Sequence, residues 1–324
     1  MTEAIRIHNT GGPEVMSWEA VNLAAPGPGE VLVRHHYVGV NFIDIYHRRG
    51  MYKLSLPSGL GSEAAGVVEA VGPGVSEVRV GDRVAYATGP VGAYAEARVL
   101  PAERLVRLPD DIDDRTAACI MLKGLTAQYL LLQTTRVETG DTIVVHAAAG
   151  GVGQIACQWA KHLGATVIGT VGSDEKAALA RANGCDHVIV YTREDVVERV
   201  RQITEGRGVR VVYDGVGKDT FRASLDCLRP RGLLVAFGQA SGMVPPFDIT
   251  ALGAKGSLYL TRPTLNAYAA TAEALRRMAD DLFQVVRAGA VHIQAPLQFP
   301  LREAGAAHTA IEERRTTGSV VLVA

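Results

Sequence analysis

The chain has 324 residues, 48% of them hydrophobic and 21% charged, with a formal charge of -1. Such a length exceeds what one hydrophobic core usually organises, so two domains are expected, and the near-neutral charge removes the electrostatic drive toward nucleic acid or an anionic membrane surface. No apolar run reaches the ~18 residues of a spanning helix, and the start, MTEAIRIHNTGG, lacks a basic-then-apolar secretion signal, so no membrane partner is expected and the expected compartment is the cytoplasm.

Residues 1–123 read as β-rich. EVLVRHHYVGV, AAGVVEAVG and DRVAYAT are short alternating or β-branched runs, punctuated by PGPGE, GPGV and GD turns. From Gly124 the texture changes to strand followed by helix. Apolar runs at Thr142–Ala147, Thr166–Thr170, Val188–Val190, Val209–Tyr213, Leu233–Phe237 and Leu258–Thr261 alternate with helical stretches, at least across the first five. Repeated units of this kind imply an α/β domain, here 124–289, built on a doubly wound six-stranded parallel (Rossmann) sheet. After Arg262-Pro263 comes a long helical stretch, LNAYAATAEALRRMADDLFQVVRAG. The tail 290–324 holds HIQAPLQFPL, a helix through AGAAHTAIEERR and the strand SVVLVA, and is expected to rejoin the first domain. Cys119, Cys157, Cys185 and Cys227 lie far apart with no C-x-x-C pair, the pattern of reduced core thiols.

The stretch VVHAAAGGVGQIACQWAKHLGA interrupts an apolar strand with small residues and then resumes at helical spacing. Val152, Ile155, Ala156, Trp159, Ala160 and Leu163 step by three and four, giving one buried helix face, and Gly164 is a natural stop. Between strand and helix, Gly150 and Gly151 clear side chains from the helix N-terminus, where unpaired N–H groups and the dipole favour a pyrophosphate. Gly153 permits close packing of the helix. The first glycine of a G-x-G-x-x-G frame is replaced by Ala148, and a glycine loop alone also closes an ordinary strand–helix turn. Strand, loop and helix together favour a dinucleotide.

The second strand runs into GTVGSDEK. By counting, Asp174 could serve as the acid that grips a ribose 2′-hydroxyl. Ser173, however, reads as the N-cap of the next helix, which places Asp174 and Glu175 in its first turn. Gly172 and Ser173 at the strand tip, with Lys176 one turn on, form a small hydroxyl- and cation-bearing pocket suited to a 2′-phosphate and hence to NADPH.

With these pieces in order, the chain resembles the medium-chain dehydrogenase/reductase superfamily. NFIDIYHRRGMY, LPSGLGSEAAGVVEAVG, GDRVAY, LKGLTAQYLL, HAAAGGVGQIACQWAKHLGATVIGTVG and VVYDGVGKDTF are similar to the bacterial NADPH:quinone oxidoreductases related to zeta-crystallin. The resemblance runs from Gly11 nearly to the C-terminus and implies a GroES-like fold for the β-rich catalytic domain. Where zinc-dependent members carry their metal ligands, this chain has Asn41, Ser62 and Leu122, so the resemblance implies no metal. His35, His36 and His146 do not restore a ligand set. The resemblance further implies a quinone substrate received by Asn41, Tyr46 and Tyr52, with Thr126 and Tyr129 reaching the nicotinamide. It implies cofactor contacts from Asn41, Tyr46, Val152, Tyr191, Val216, Gly217, Phe237, Gly238, Arg262, Pro263 and Arg314. Asp44 reads as structural rather than as a base. The alternatives are an alkenal or enone double-bond reductase and, from another class, a non-catalytic crystallin-like or RNA-binding protein, although no basic stripe with interleaved aromatics is visible. The apolar strand in GMVPPFDITALGAKGSLYL is expected at a sheet edge, where pairing with a second copy would form a homodimer.

Overall fold

Period-two burial makes Glu30–Val40 the central strand of the first unit. Val31, Val33 and His35 point inward, while Arg34 and His36 point to solvent. In the computed structural model, which describes all 324 residues, this strand pairs antiparallel with Glu63–Val71, Ala97–Pro101 and the C-terminal Val320–Val323. They belong to a seven-stranded sheet. A three-stranded sheet of Met16–Val21, Thr2–Ile7 and Ser58–Gly59 accompanies it. Ile5, Ile7, Val33, Val38, Leu100 and Leu322 are among its buried core residues. The unit comprises Met1–Leu125, Ala269–Phe283 and Ile293–Ala324.

The second unit comprises Thr126–Tyr268 and Gln284–His292. Its parallel sheet has strands β1 (Thr142–Val145), β2 (Thr166–Val171), β3 (His187–Val190), β4 (Val209–Asp214), β5 (Leu228–Ala236) and β6 (Tyr259–Thr261), in the order β3-β2-β1-β4-β5-β6. Its helices include α1 (Gly151–His162), α2 (Asp174–Ala182), α3 (Val196–Ile203) and α4 (Phe221–Asp226). This is the strand order of a doubly wound (Rossmann) sheet, and the β-rich first unit is a separate fold.

Three expectations shift in detail. The first apolar run stops being a strand at Val145, because Ala147 adopts φ +53° and its carbonyl accepts the N–H of Gly150 at 2.8 Å, turning the chain. The fifth strand starts earlier than the apolar run suggests, at Leu228, with a register irregularity against β4. The long helical stretch breaks into Leu265–Tyr268 and Ala272–Arg287. Sequence boundaries place all of it in 124–289, whereas Ala269–Phe283 groups with the first unit. The reason is its buried stripe of Leu275, Met278, Ala279, Leu282 and Phe283, whose Leu282 lies over Gly124: a Cβ there would approach Leu282 Cδ1 to 2.5 Å. All four cysteines are free and buried, and burial pushes the Cys119 and Cys227 thiols up to about 12. No helix is long and apolar enough to cross a membrane.

Candidate cofactor and substrate sites

The β1–α1 turn is built almost without side chains. Gly150 is the N-cap of α1 in extended conformation, and no side chain caps the helix. The first-turn amides are therefore left for a ligand or for water. A Cβ on Gly153 would lie 2.3 Å from the Ala147 carbonyl oxygen and 2.8 Å from Ala148 Cα, so helix and turn can be this close only with glycine. Around Gly150 there is more room: a Cβ added there would stand 3.2 Å from the Ala147 oxygen. Val152 and Leu163 are half-buried, while Ile155, Ala156, Trp159 and Ala160 are buried as expected, joined by Gln154, Cys157 and Gln158. Gly164 carries φ +86°, the left-handed stop.

Beneath this turn lies a hydrogen-bond network that the sequence does not announce. Ser224 donates to Asp214 Oδ2 at 2.7 Å, so its oxygen accepts from His146 Nε2 (3.0 Å), and His146 Nδ1 accepts from Thr170 (2.9 Å). Burial holds the His146 imidazole below its usual pKa. Asp214 Oδ1 also accepts the amides of Val216 (2.8 Å) and Gly217 (3.0 Å). One carboxylate thus organises the loop after β4 and, through Ser224 and His146, the ends of β1 and β2. Phe237 donates its amide to the Asp214 carbonyl, and a Cβ on Gly238 would meet the Gly215 oxygen at 2.4 Å, so the loops after β4 and β5 are tightly packed. Arg262 Nη1 donates to the Ala236 carbonyl at 2.7 Å, next to buried Pro263.

At the β2 tip, Ser173 is the N-cap of α2 and accepts the Lys176 amide at 3.3 Å, with Asp174 the first helical residue. Gly172 supports Tyr191: a Cβ would come within 2.7 Å of the phenol oxygen. Asp174 is held by Arg193, a residue missed by sequence reasoning, through both guanidinium arms at 2.6 and 2.5 Å. Thr126 stands in the last turn of the helix Asp114–Gln128, and Tyr129 opens a π-helical turn, Tyr129–Thr134. Tyr129 stacks on Tyr268 with centroids 4.6 Å apart, and burial raises its phenol pKa.

In the first unit, Asn41 precedes the helix Phe42–Arg48. Asn41 Nδ2 donates to Glu63 Oε2 at 2.8 Å, the Leu122 amide donates to Glu63 Oε1 at 2.7 Å, and Ser62 donates to Asp44 Oδ1 at 3.0 Å. The three positions expected to lack zinc ligands are thus spent on two buried carboxylates. Glu63 is paired with buried Lys123 at 3.1 Å. No group of three or more His, Cys, Asp and Glu stands in a metal-holding arrangement. Burial pushes Asp44 up to about 7, with the Glu63 charge adding to it, while donors from Asn41, Ser62 and Tyr94 act the other way. Tyr94 continues to His308 (2.9 Å), and His308 to Arg48 (3.0 Å), which holds Glu312 at 2.9 Å through both oxygens. Asp44 thus belongs to a buried hydrogen-bond network that reaches Glu312. His35 is buried between the Ala95 carbonyl and Tyr86, and His36 faces Asp114 from the surface. Tyr46 and Tyr52 pack edge to face with centroids 5.5 Å apart. Arg314 follows the C-terminal helix Ala304–Glu312 at φ +57°.

Residues 27–110 match the alcohol dehydrogenase GroES-like domain, and 151–280 match the family described as zinc-binding dehydrogenase. The chain is 56% identical over 324 residues to a quinone oxidoreductase of Pseudomonas aeruginosa, covering 100% of both. It is 50% identical to a 2-haloacrylate reductase of a Burkholderia species, covering 100% of this chain and 99% of the relative. The crystal structure of Escherichia coli quinone oxidoreductase complexed with NADPH superposes with a TM-score of 0.98 at 46% identity, over 99% of this chain and 100% of that one. Full-length identity, both domain matches and a common backbone converge: this chain belongs to the quinone oxidoreductase family of the medium-chain dehydrogenase/reductase superfamily.

Proposed function

We propose that the protein is an NADPH-dependent reductase of quinones that works without a metal. The observation that carries this reading is the first-unit cluster, where Asn41, Ser62 and Leu122 commit their polar groups to Glu63 and Asp44. When bound, NADPH supplies a hydride, which a quinone can accept without a Lewis acid because its own ring stabilises the resulting anion until water protonates it. The residues of the chain position and shield rather than exchange protons. Gly150, Gly151, Val152 and Gly153 offer the α1 amides to the pyrophosphate. Gly172, Ser173, Lys176 and Tyr191 receive the adenosine 2′-phosphate, and Val216, Phe237, Gly238, Arg262, Pro263 and Arg314 contribute further cofactor contacts. Thr126 and Tyr129 serve the nicotinamide, while Asn41, Tyr46 and Tyr52 receive the flat acceptor, the two phenols giving stacking area and hydroxyl donors.

A steady-state comparison of 1,4-benzoquinone with a 2-alkenal, each with NADPH and NADH, tests this reading. Quinone turnover with NADPH is expected to dominate. The 50% identical 2-haloacrylate reductase favours activated double bonds as the second reading, and faster alkenal turnover would establish it instead. The compartment proposed is the cytoplasm. The working form is a homodimer: β6 lies at the end of its sheet, with Tyr259 61% and Leu260 37% exposed, an edge open to pairing. Light scattering at micromolar concentration that reads one chain would overturn the dimer.

A further inference from the structure

We propose that Arg193 sets the cofactor preference by neutralising Asp174, an inference that rests on the NADPH reading above. Asp174 is the acid nearest the β2 tip, where a free carboxylate would accept hydrogen bonds from a ribose diol and repel a 2′-phosphate. Here both of its oxygens are occupied by the two terminal nitrogens of Arg193, at 2.6 and 2.5 Å. The partner is not delivered by a loose loop. The turn after β3 is fastened to the end of β2 at successive residues: the Tyr191 amide donates to the Val171 carbonyl (3.1 Å), and the Thr192 hydroxyl to the Gly172 carbonyl (3.3 Å). Tyr191 itself lies over Gly172, whose missing Cβ makes room for the phenol oxygen. Arg193 follows directly, its own amide bonded to the Val190 carbonyl at 3.0 Å.

The consequence follows from the chemistry of the pair: its net charge is zero, so Asp174 adds no uncompensated anion beside Lys176. The pair is exposed, 57% for Arg193 and 72% for Asp174, so its intrinsic strength is small. What matters is the charge that it cancels.

The test measures dissociation constants for NADPH and NADH by fluorescence titration at low salt. The proteins are wild type, Arg193→Ala, Asp174→Asn and the double variant, all altered on the surface. Arg193→Ala bares Asp174 and should weaken NADPH on the order of three- to tenfold, the scale of one exposed charge acting through water, and leave NADH unchanged or tighter. In the Asp174→Asn background the same change should cost well under half as much, because no anion remains to be exposed. A wild type that prefers NADPH, together with an Arg193→Ala loss that is absent or undiminished in the Asp174→Asn background, would overturn the role of Arg193 alone. A wild type that binds both cofactors equally would overturn the cofactor reading and this inference together.

Discussion

Gly153→Ala against Gly150→Ala separates the two duties of the β1–α1 turn. At Gly153 the added methyl would sit 2.3 Å from a carbonyl oxygen and within 2.9 Å of two further backbone atoms, none of which can rotate away. Overpacking costs about 1–3 kcal/mol, and contacts with rigid backbone put this case near the upper end. Alanine in the first helical turn returns at most about 1 kcal/mol of propensity. The net loss is about 2 kcal/mol, or roughly 4–8 °C of melting temperature for a domain of this size. At Gly150 the nearest backbone oxygen is 3.2 Å away and φ is -82°, so alanine fits and costs about 1 kcal/mol or less as a poorer N-cap. Its methyl instead enters the bare turn. Scanning calorimetry without and with NADPH reads both effects. Gly153→Ala should melt low in the absence of cofactor. Gly150→Ala should melt near wild type but gain less on NADPH addition, by about 1.4 kcal/mol for each tenfold loss of affinity. A Gly153→Ala protein that melts with wild type and binds NADPH equally well would refute the close-approach argument.

Acid stability of the first unit follows from its buried titrating groups. His35 and His308 are held down to about 3 by burial, so the stability they contribute is present above pH 6.5 and lost as pH falls toward 3. Asp44, raised to about 7, works oppositely, its contribution being lost as pH rises from about 4 to 7. Two imidazoles outweigh one carboxyl, so melting temperature should fall between pH 6 and 4 and fall more steeply in Asp44→Asn; a rise on acidification would contradict these assignments. Lys123→Ala should destabilise by about 3–5 kcal/mol, because it leaves Glu63 buried without its cation. Lys123→Ala combined with Glu63→Gln should recover much of that loss, as read by urea denaturation.

How much of the site is legible depends on sequence distance. The Ser173 cap, the Gly164 stop and the glycine turn are local devices, each complete within a few residues, and each stands where spacing places it. Arg193 lies 19 residues from Asp174, and Lys123 lies 60 from Glu63. His308 lies 260 residues from Arg48. None of these pairings has a local signature: in the sequence Asp174 is only a first-turn helix residue, and Glu63 only one residue of the motif LPSGLGSEAAGVVEAVG. The D-G-V-G run after β4 is a usable signal for Asp214 as a loop organiser, since an acid ending a buried strand needs donors.

By itself the sequence determined the strand–helix alternation, the bare nucleotide turn and the absence of ligand-type side chains at Asn41, Ser62 and Leu122. Periodicity and side-chain identity are properties of neighbouring residues, so they can be read directly. Only the tertiary structure decided which charges cancel, which carboxylate gathers three strand ends, and which unit claims Ala269–Phe283. Those outcomes depend on burial and on groups brought together from distant parts of the chain, where desolvation makes a partner obligatory without naming it.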